Sequence, residues 1–286
     1  MASNIDEDWS HGSEERLIAT ALGSINVRIG GREDGPAMVF WPSLLMTGSM
    51  WRYQYQHYAP THRVVLIDPP GIGRSTPLTE TITLNQSADC LVEVLDALGI
   101  DKCLFVGNSW GAILAGVFAA QHPERLLGSV AANGTASAAS AIDKIKLAPL
   151  IALLRLHATT PRWFVAVTQS SFAGKTAQKS KPQFLSVLRC VLDENPKSMA
   201  RQMRSILTGR VDTHAHLRAI DNVPVLVIAG AEDRQFSVAT AQDVASAIRG
   251  SRLVVLPGTG HLSALESPDL FNNAVDDFLE EIRTHG

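Results

Sequence analysis

Leu104-Phe105-Val106-Gly107-Asn108-Ser109-Trp110-Gly111-Ala112 is the stretch on which the reading of this chain turns. An apolar run that suits a buried strand enters Gly-x-Ser-x-Gly and passes into an apolar helical pattern over residues 112–121. Strand, turn and helix in that order are the setting in which a serine is presented as a nucleophile. The turn is tight enough to force its central residue into a strained backbone angle. Gly107 and Gly111 lack a Cβ, so strand and helix can approach closely. The Ser109 hydroxyl is then expected above the carboxyl edge of a sheet, over the free N–H groups of a helix N-terminus. Gly-x-Ser-x-Gly alone describes many ordinary turns. The flanks carry the inference.

Outward from this stretch the chain alternates between two periods. Apolar runs at Ala37–Trp41, Arg63–Ile67, 102–106, 126–131, 223–229 and Arg252–Leu256 read as buried strands. Residues 16–21 and 25–29 read as a hairpin turning at Gly23-Ser24. Residues 50–58, 83–98 and 271–282 carry helical spacing, the second ending at Gly99 as a C-cap. Strands that alternate with helices imply an α/β fold with a mainly parallel, doubly wound sheet. Function in such sheets sits beyond the carboxyl ends of the strands.

Residues 138–212 break that rhythm. They hold helical patterns at 141–156, 161–172, 182–192 and 196–207 and no strand pattern. Pro149 is expected to split or kink the first of these. The segment reads as a helical cap inserted into a core made of residues 15–137 and 213–286. A cap is one way for a sheet enzyme to acquire a closed apolar pocket. Residues 1–14 read as a disordered lead-in.

Composition narrows the choice of partners. The 286 residues carry a net charge of −3, with 45% hydrophobic and 19% charged residues. That balance suits a soluble domain and offers no basic surface for nucleic acid or an anionic membrane. No apolar run reaches the roughly 18 residues that a membrane-spanning helix needs. The acidic, polar N-terminus lacks the apolar core of a secretory signal. Cys90, Cys103 and Cys190 lie in apolar patterns with no Cys-x-x-Cys pair, which suits buried free thiols in a reducing compartment. A cytoplasmic location is expected. Gly71-Ile72-Gly73 is too short for a dinucleotide fingerprint, and His214 and His216 have no third ligand in view. No cofactor and no metal are expected.

A serine hydroxyl needs a base within reach, and the base needs an orienting carboxylate. Two late segments offer them. The strand pattern ending at Gly230 is followed by Ala231-Glu232-Asp233, and the one ending at Leu256 by Pro257-Gly258-Thr259-Gly260-His261-Leu262. Both put a titratable group just past a strand end. His261 is the candidate base, and Asp233 or Glu232 the candidate acid. The chain order is Ser, acid, His.

Asp68-Pro-Pro-Gly-Ile-Gly-Arg-Ser75, Gly107-Asn-Ser-Trp-Gly111, His122-Pro-Glu-Arg125, Gly230-Ala-Glu-Asp233 and Gly260-His261 together resemble the α/β-hydrolase superfamily. The stretches from Pro42-Ser-Leu-Leu45 to Trp51 and over 256–263 look most like 3-oxoadipate enol-lactonases and their esterase relatives. The resemblance implies a mostly parallel eight-stranded sheet flanked by helices, with the inserted cap. It places the acid three residues after the strand's glycine, at Asp233, with Ser109 and His261 completing a triad. It also implies two N–H donors for the oxyanion: Trp110, and one from the loop after Trp41. Relatives carry His-Gly in that loop where this chain has Pro42-Ser43. Pro42 has no N–H, so Leu44 is the expected donor and Ser43 the runner-up. Some relatives carry the acid after the strand that follows the nucleophile helix. Here that place is taken by Asn133, which is no carboxylate.

The expected activity is hydrolysis of a small apolar carboxylic ester or lactone through an acyl-enzyme. Ser43, Trp163, Phe164, Phe172 and Leu262 are candidates for lining the substrate pocket. The alternatives are a hydrolase of carbon–carbon bonds in ring-fission products and a triad-bearing ligand receptor. A monomer or homodimer is expected.

Overall fold

The computed structural model describes residues 9–180 and 194–285. Among them, eight strands form one sheet in the order β1-β2-β4-β3-β5-β6-β7-β8. The strands are β1 (Glu14–Thr20), β2 (Gly23–Gly31), β3 (Ala37–Trp41), β4 (Arg63–Ile67), β5 (Cys103–Asn108), β6 (Leu126–Ala132), β7 (Val225–Gly230) and β8 (Arg252–Leu256). β1 and β2 run antiparallel to their neighbours, and every pair from β4 to β8 is parallel. The central strands β3, β5 and β7 are buried at every residue. Continuous apolar runs, rather than alternating ones, are what a sheet covered on both faces requires.

The helices that follow these strands cover the faces. Among them are α1 (Arg52–Tyr58), α2 (Leu84–Ala97), α3 (Trp110–Gln121) and the long closing helix Pro268–His285. Ten of the twelve residues of α3 are buried, so the helix is apolar all round and packs centrally against β5 and β6. α2 begins with Thr83 and Gln86 in a reciprocal capping box.

Helices Ala141–Arg155, Arg162–Phe172, Lys175–Ser180 and Pro196–Met203 occupy the segment between β6 and β7, with no strand among its described residues. The two ends of this segment are fastened together. Ala139 N–H donates to Arg210 O, Thr213 N–H to Ala136 O, and the Arg210 guanidinium to Ser137 O. The helical pattern at 182–192, and Cys190 within it, lie outside the described residues. Pro149 does not split its helix as expected: Ala141–Arg155 is continuous through it. Proline there removes one N–H, and most residues around it face solvent, where water can satisfy the carbonyl left without a partner. No described helix is long and apolar enough to cross a membrane.

Parallel order places the carboxyl ends of β3, β5, β6, β7 and β8 along one edge. The turns beyond them are laced strand to strand. Ser109 N–H donates to Ala132 O, Asn133 N–H to Ile228 O, Ala231 N–H to Leu256 O, and Glu232 N–H to Thr259 O. Residues distant in the chain are thus brought into one row along that edge.

Candidate active site

Ser109 sits between β5 and α3 at φ 56°, a left-handed angle that non-glycine residues rarely adopt. The space around it explains the two glycines. A Cβ on Gly107 would lie 2.0 Å from Gly111 O, and one on Gly111 would lie 2.2 Å from Trp41 O. Both obstacles are backbone, so neither can move aside cheaply. Ser109 is buried to 8% exposure. Its hydroxyl makes no hydrogen bond to a described residue. Such bonds are often long or poorly aligned before substrate binds.

The residue before it makes the link to β8. Asn108 Nδ2 donates to His261 O at 3.1 Å. His261 Nδ1 and Asp233 Oδ2 are 2.9 Å apart, and both side chains are nearly inaccessible to solvent. Since ionised Asp233 only accepts, Nδ1 carries a proton, and in the neutral form of the ring the lone pair is on Nε2. Asp233 is fully engaged. Oδ2 also accepts from Asn133 Nδ2 at 2.9 Å, and Oδ1 accepts from the N–H groups of Gln235 at 2.7 Å and Phe236 at 3.1 Å. Burial alone would raise its carboxyl. The charge of His261 and the bonds from His261, Asn133 and Phe236 overrule burial and hold it below the usual carboxylate range.

Glu232, the rival acid, faces elsewhere. It accepts from Thr176 N–H at 2.8 Å and Thr176 Oγ1 at 2.7 Å. Asn133 stands where some relatives were expected to carry the acid. It is no carboxylate, yet it lies in the site and braces the one that is. It too has a left-handed φ, 54°, and its buried Oδ1 has no partner among the described residues.

The loop after β3 turns through Leu45 at φ 66°, closed by Met46 N–H to Ser43 O at 3.1 Å. Ser43 N–H points to Met50 Sδ at 3.5 Å. Among the described residues, the N–H groups of Leu44 and Trp110 donate to no protein acceptor. Trp41 and Trp110 meet edge to face with centroids 5.4 Å apart, which packs the end of β3 against the start of α3.

Of the candidate pocket residues, Phe172 is beside His261 with ring centroids 5.3 Å apart, and Leu262 is fully buried next to it. Phe236 was not singled out from the sequence, yet its ring lies 5.6 Å from His261 on the acid's loop. Ser43 and Phe164 are buried, whereas Trp163 is 39% exposed and packs edge-on against Phe164. Asp68 accepts from Gly48 N–H, Asn26 Nδ2 and Arg74 N–H, and so holds its own loop together. His214 is paired with Asp212 and Asp243 at the surface.

This edge of the sheet gathers a strained serine, an imidazole and a buried carboxylate, and a model of the alpha/beta hydrolase fold matches residues 36–268. The chain belongs to the α/β-hydrolase family. This α/β hydrolase is 27% identical over 269 residues to a 3-oxoadipate enol-lactonase of Acinetobacter baylyi, an alignment that covers 91% of this chain and 94% of the relative. Among solved structures, the enol-lactonase from Burkholderia xenovorans LB400 is 25% identical and superposes with a TM-score of 0.85, covering 93% of this chain and all of the other. A hydrolase from Pseudomonas aeruginosa PA01 is 27% identical with a TM-score of 0.85, covering 93% and 98%.

Proposed function

We propose that this α/β hydrolase cleaves a carboxylic ester or lactone of a small apolar substrate through an acyl-enzyme formed on Ser109. The observation that carries the reading is the buried Asp233–His261 pair, 2.9 Å apart, with His261 O bonded by Asn108, the residue before a serine held in a left-handed elbow. The kinship with enol-lactonases supports the choice of bond.

In this reading His261 Nε2 takes the Ser109 proton as Oγ attacks the carbonyl carbon. Asp233 stabilises the imidazolium and keeps its ring in place. The N–H groups of Leu44 and Trp110 hold the oxyanion; Ser43, whose N–H faces Met50 Sδ, does not. His261 then gives the proton to the leaving alkoxide, which in a lactone stays attached to the acyl group. A water deprotonated by His261 attacks the ester carbonyl, and the Ser109 oxygen leaves with that proton. The described helices between residues 138 and 212 act as a cap over the site. Phe172 and Leu262, both close to His261, line the acyl pocket together with Phe164.

The test is turnover of a panel of esters and lactones by wild type and by Ser109→Ala. The substitution lowers kcat by a factor of roughly 10⁴ or more, as removal of a serine nucleophile does elsewhere. A fluorophosphonate labels Ser109 in the wild type only. Comparable turnover by the two proteins refutes the assignment.

A further inference from the structure

Glu266 is a buried carboxylate that the reaction above does not use. It is 2% exposed and accepts three backbone N–H groups. Oε2 takes Gly260 N–H at 2.9 Å and Gly174 N–H at 3.0 Å, and Oε1 takes Leu262 N–H at 3.1 Å. Two of these donors flank His261 in the chain. The third belongs to the turn that leaves the helix Arg162–Phe172. Of the three donors only the Leu262 N–H belongs to the start of the short helix Ser263–Glu266; the bond to Gly174 spans 92 positions.

The fit around the carboxylate is close. A Cβ on Gly260 would lie 2.3 Å from Gly174 N, and one on Gly174 would lie 2.9 Å from both Glu266 Oε2 and Gly260 N. The two backbones therefore touch, with the carboxylate bridging them. Further bonds join the same turn to the site. His261 N–H donates to Phe172 O at 3.1 Å, Gln235 Nε2 to Ser171 O at 3.0 Å, and Thr176 N–H to Glu232 at 2.8 Å. Residues 171–176 are thus fastened to the loop of the base and to the loop of the acid. Burial pushes the Glu266 carboxyl above its ordinary range despite its three N–H partners, a cost that a merely exposed cap would avoid.

We infer that Glu266 is a positioning residue: it ties the turn at 171–176 to both flanks of His261, so that the seat of the base is built partly from the cap segment. The inference rests on the serine-hydrolase reading, with His261 as base.

The experiment compares wild type, Glu266→Gln and Gly174→Ala. The glutamine keeps the size but turns an N–H₂ toward backbone donors. The alanine presses on the same bridge from the far side. For each protein, active sites are counted by the fluorophosphonate burst, and kcat is expressed per titrated site. Both variants lose about 10- to 100-fold in kcat per site, the order expected when a reacting group is misplaced by a fraction of an ångström to an ångström. KM stays within about twofold, and the fluorophosphonate reacts more slowly by a similar factor. A purely structural role predicts fewer titrated sites, each turning over at the wild-type rate, and that result overturns the inference. So does wild-type kcat in folded Glu266→Gln. Turnover that survives in Ser109→Ala overturns the underlying reading instead.

Discussion

Asn133 shows how much one side chain contributes once its neighbours are known. Its amide is one of four donors on Asp233, and its backbone is left-handed at φ 54°. Two substitutions separate these facts. Asn133→Gly removes the amide and tolerates the angle, whereas Asn133→Ala removes the amide and keeps the strain. A hydrogen bond to a charged group is worth about 1.5–3 kcal/mol, so both lower kcat by roughly tenfold or more. Asn133→Ala also melts at a lower temperature than Asn133→Gly. Steady-state kinetics with a thermal melt checks both points, and wild-type kcat in Asn133→Gly removes Asn133 from the site's support. Gly107 makes a steric argument instead. Gly107→Ala sets a methyl 2.0 Å from a backbone oxygen. The elbow must open, and the loss exceeds about 3 kcal/mol by denaturant unfolding, well above the usual cost of one substitution.

At the level of elements, the sequence is most legible where a strand is buried on both faces. β3 and β4 fall on the expected residues because nothing interrupts their apolar runs, and the edge strand β8 does so as well although it is only partly buried. β5 runs two residues further than its apolar pattern, since Gly107 and Asn108 still pair with Ala131 and Ala132. β7 starts at Val225 rather than 223, after Pro224, which has no N–H to give a ladder. The first hairpin turns at Ala21-Leu22, because Thr20 pairs with Gly23 and makes that glycine the first residue of β2. The places of Ser109, Asp233 and His261 just past strand ends were readable because each lies in a recognisable turn. The seat of His261 was not. Phe172 contributes a carbonyl and Gly174 an N–H, groups that every such residue carries, across a separation no local pattern reveals. The helix through Pro149 is the other case, where solvent exposure removed the reason to break. Pro149→Ala restores the missing hydrogen bond and removes an interior penalty of about 3 kcal/mol. Amides of residues 146–153 then exchange more slowly with deuterium than in the wild type. Equal exchange in both proteins would mean that this helix is no weaker for its proline.

Over the whole molecule, three buried carboxyl groups pull the acid response in opposite directions. Burial raises Asp68 and Glu266 above their ordinary values, while His261 and its partners overcome burial to hold Asp233 below its own. The folded protein therefore binds protons at Asp68 and Glu266 before the unfolded chain does. Their contribution to stability is fully present below the unfolded carboxylate range, about pH 4, and is lost as pH rises through their folded values. Asp233 acts in reverse, stabilising above its unfolded value and losing that contribution as pH falls through its lower folded value. Between about pH 7 and pH 4, wild type thus gains stability relative to Glu266→Gln and to Asp68→Asn. Below about pH 4, it loses stability relative to Asp233→Asn. Urea unfolding of the four proteins at a series of pH values reads these differences directly. The same protonation of Glu266 weakens its hold on Gly174, Gly260 and Leu262. The wild-type advantage in kcat over Glu266→Gln therefore narrows as the medium is acidified while the wild-type melting temperature holds, and it returns fully at neutral pH. A melting temperature that falls in step with that advantage would show that the acid limb is unfolding, and that these buried carboxyls are not what the folded state protonates first.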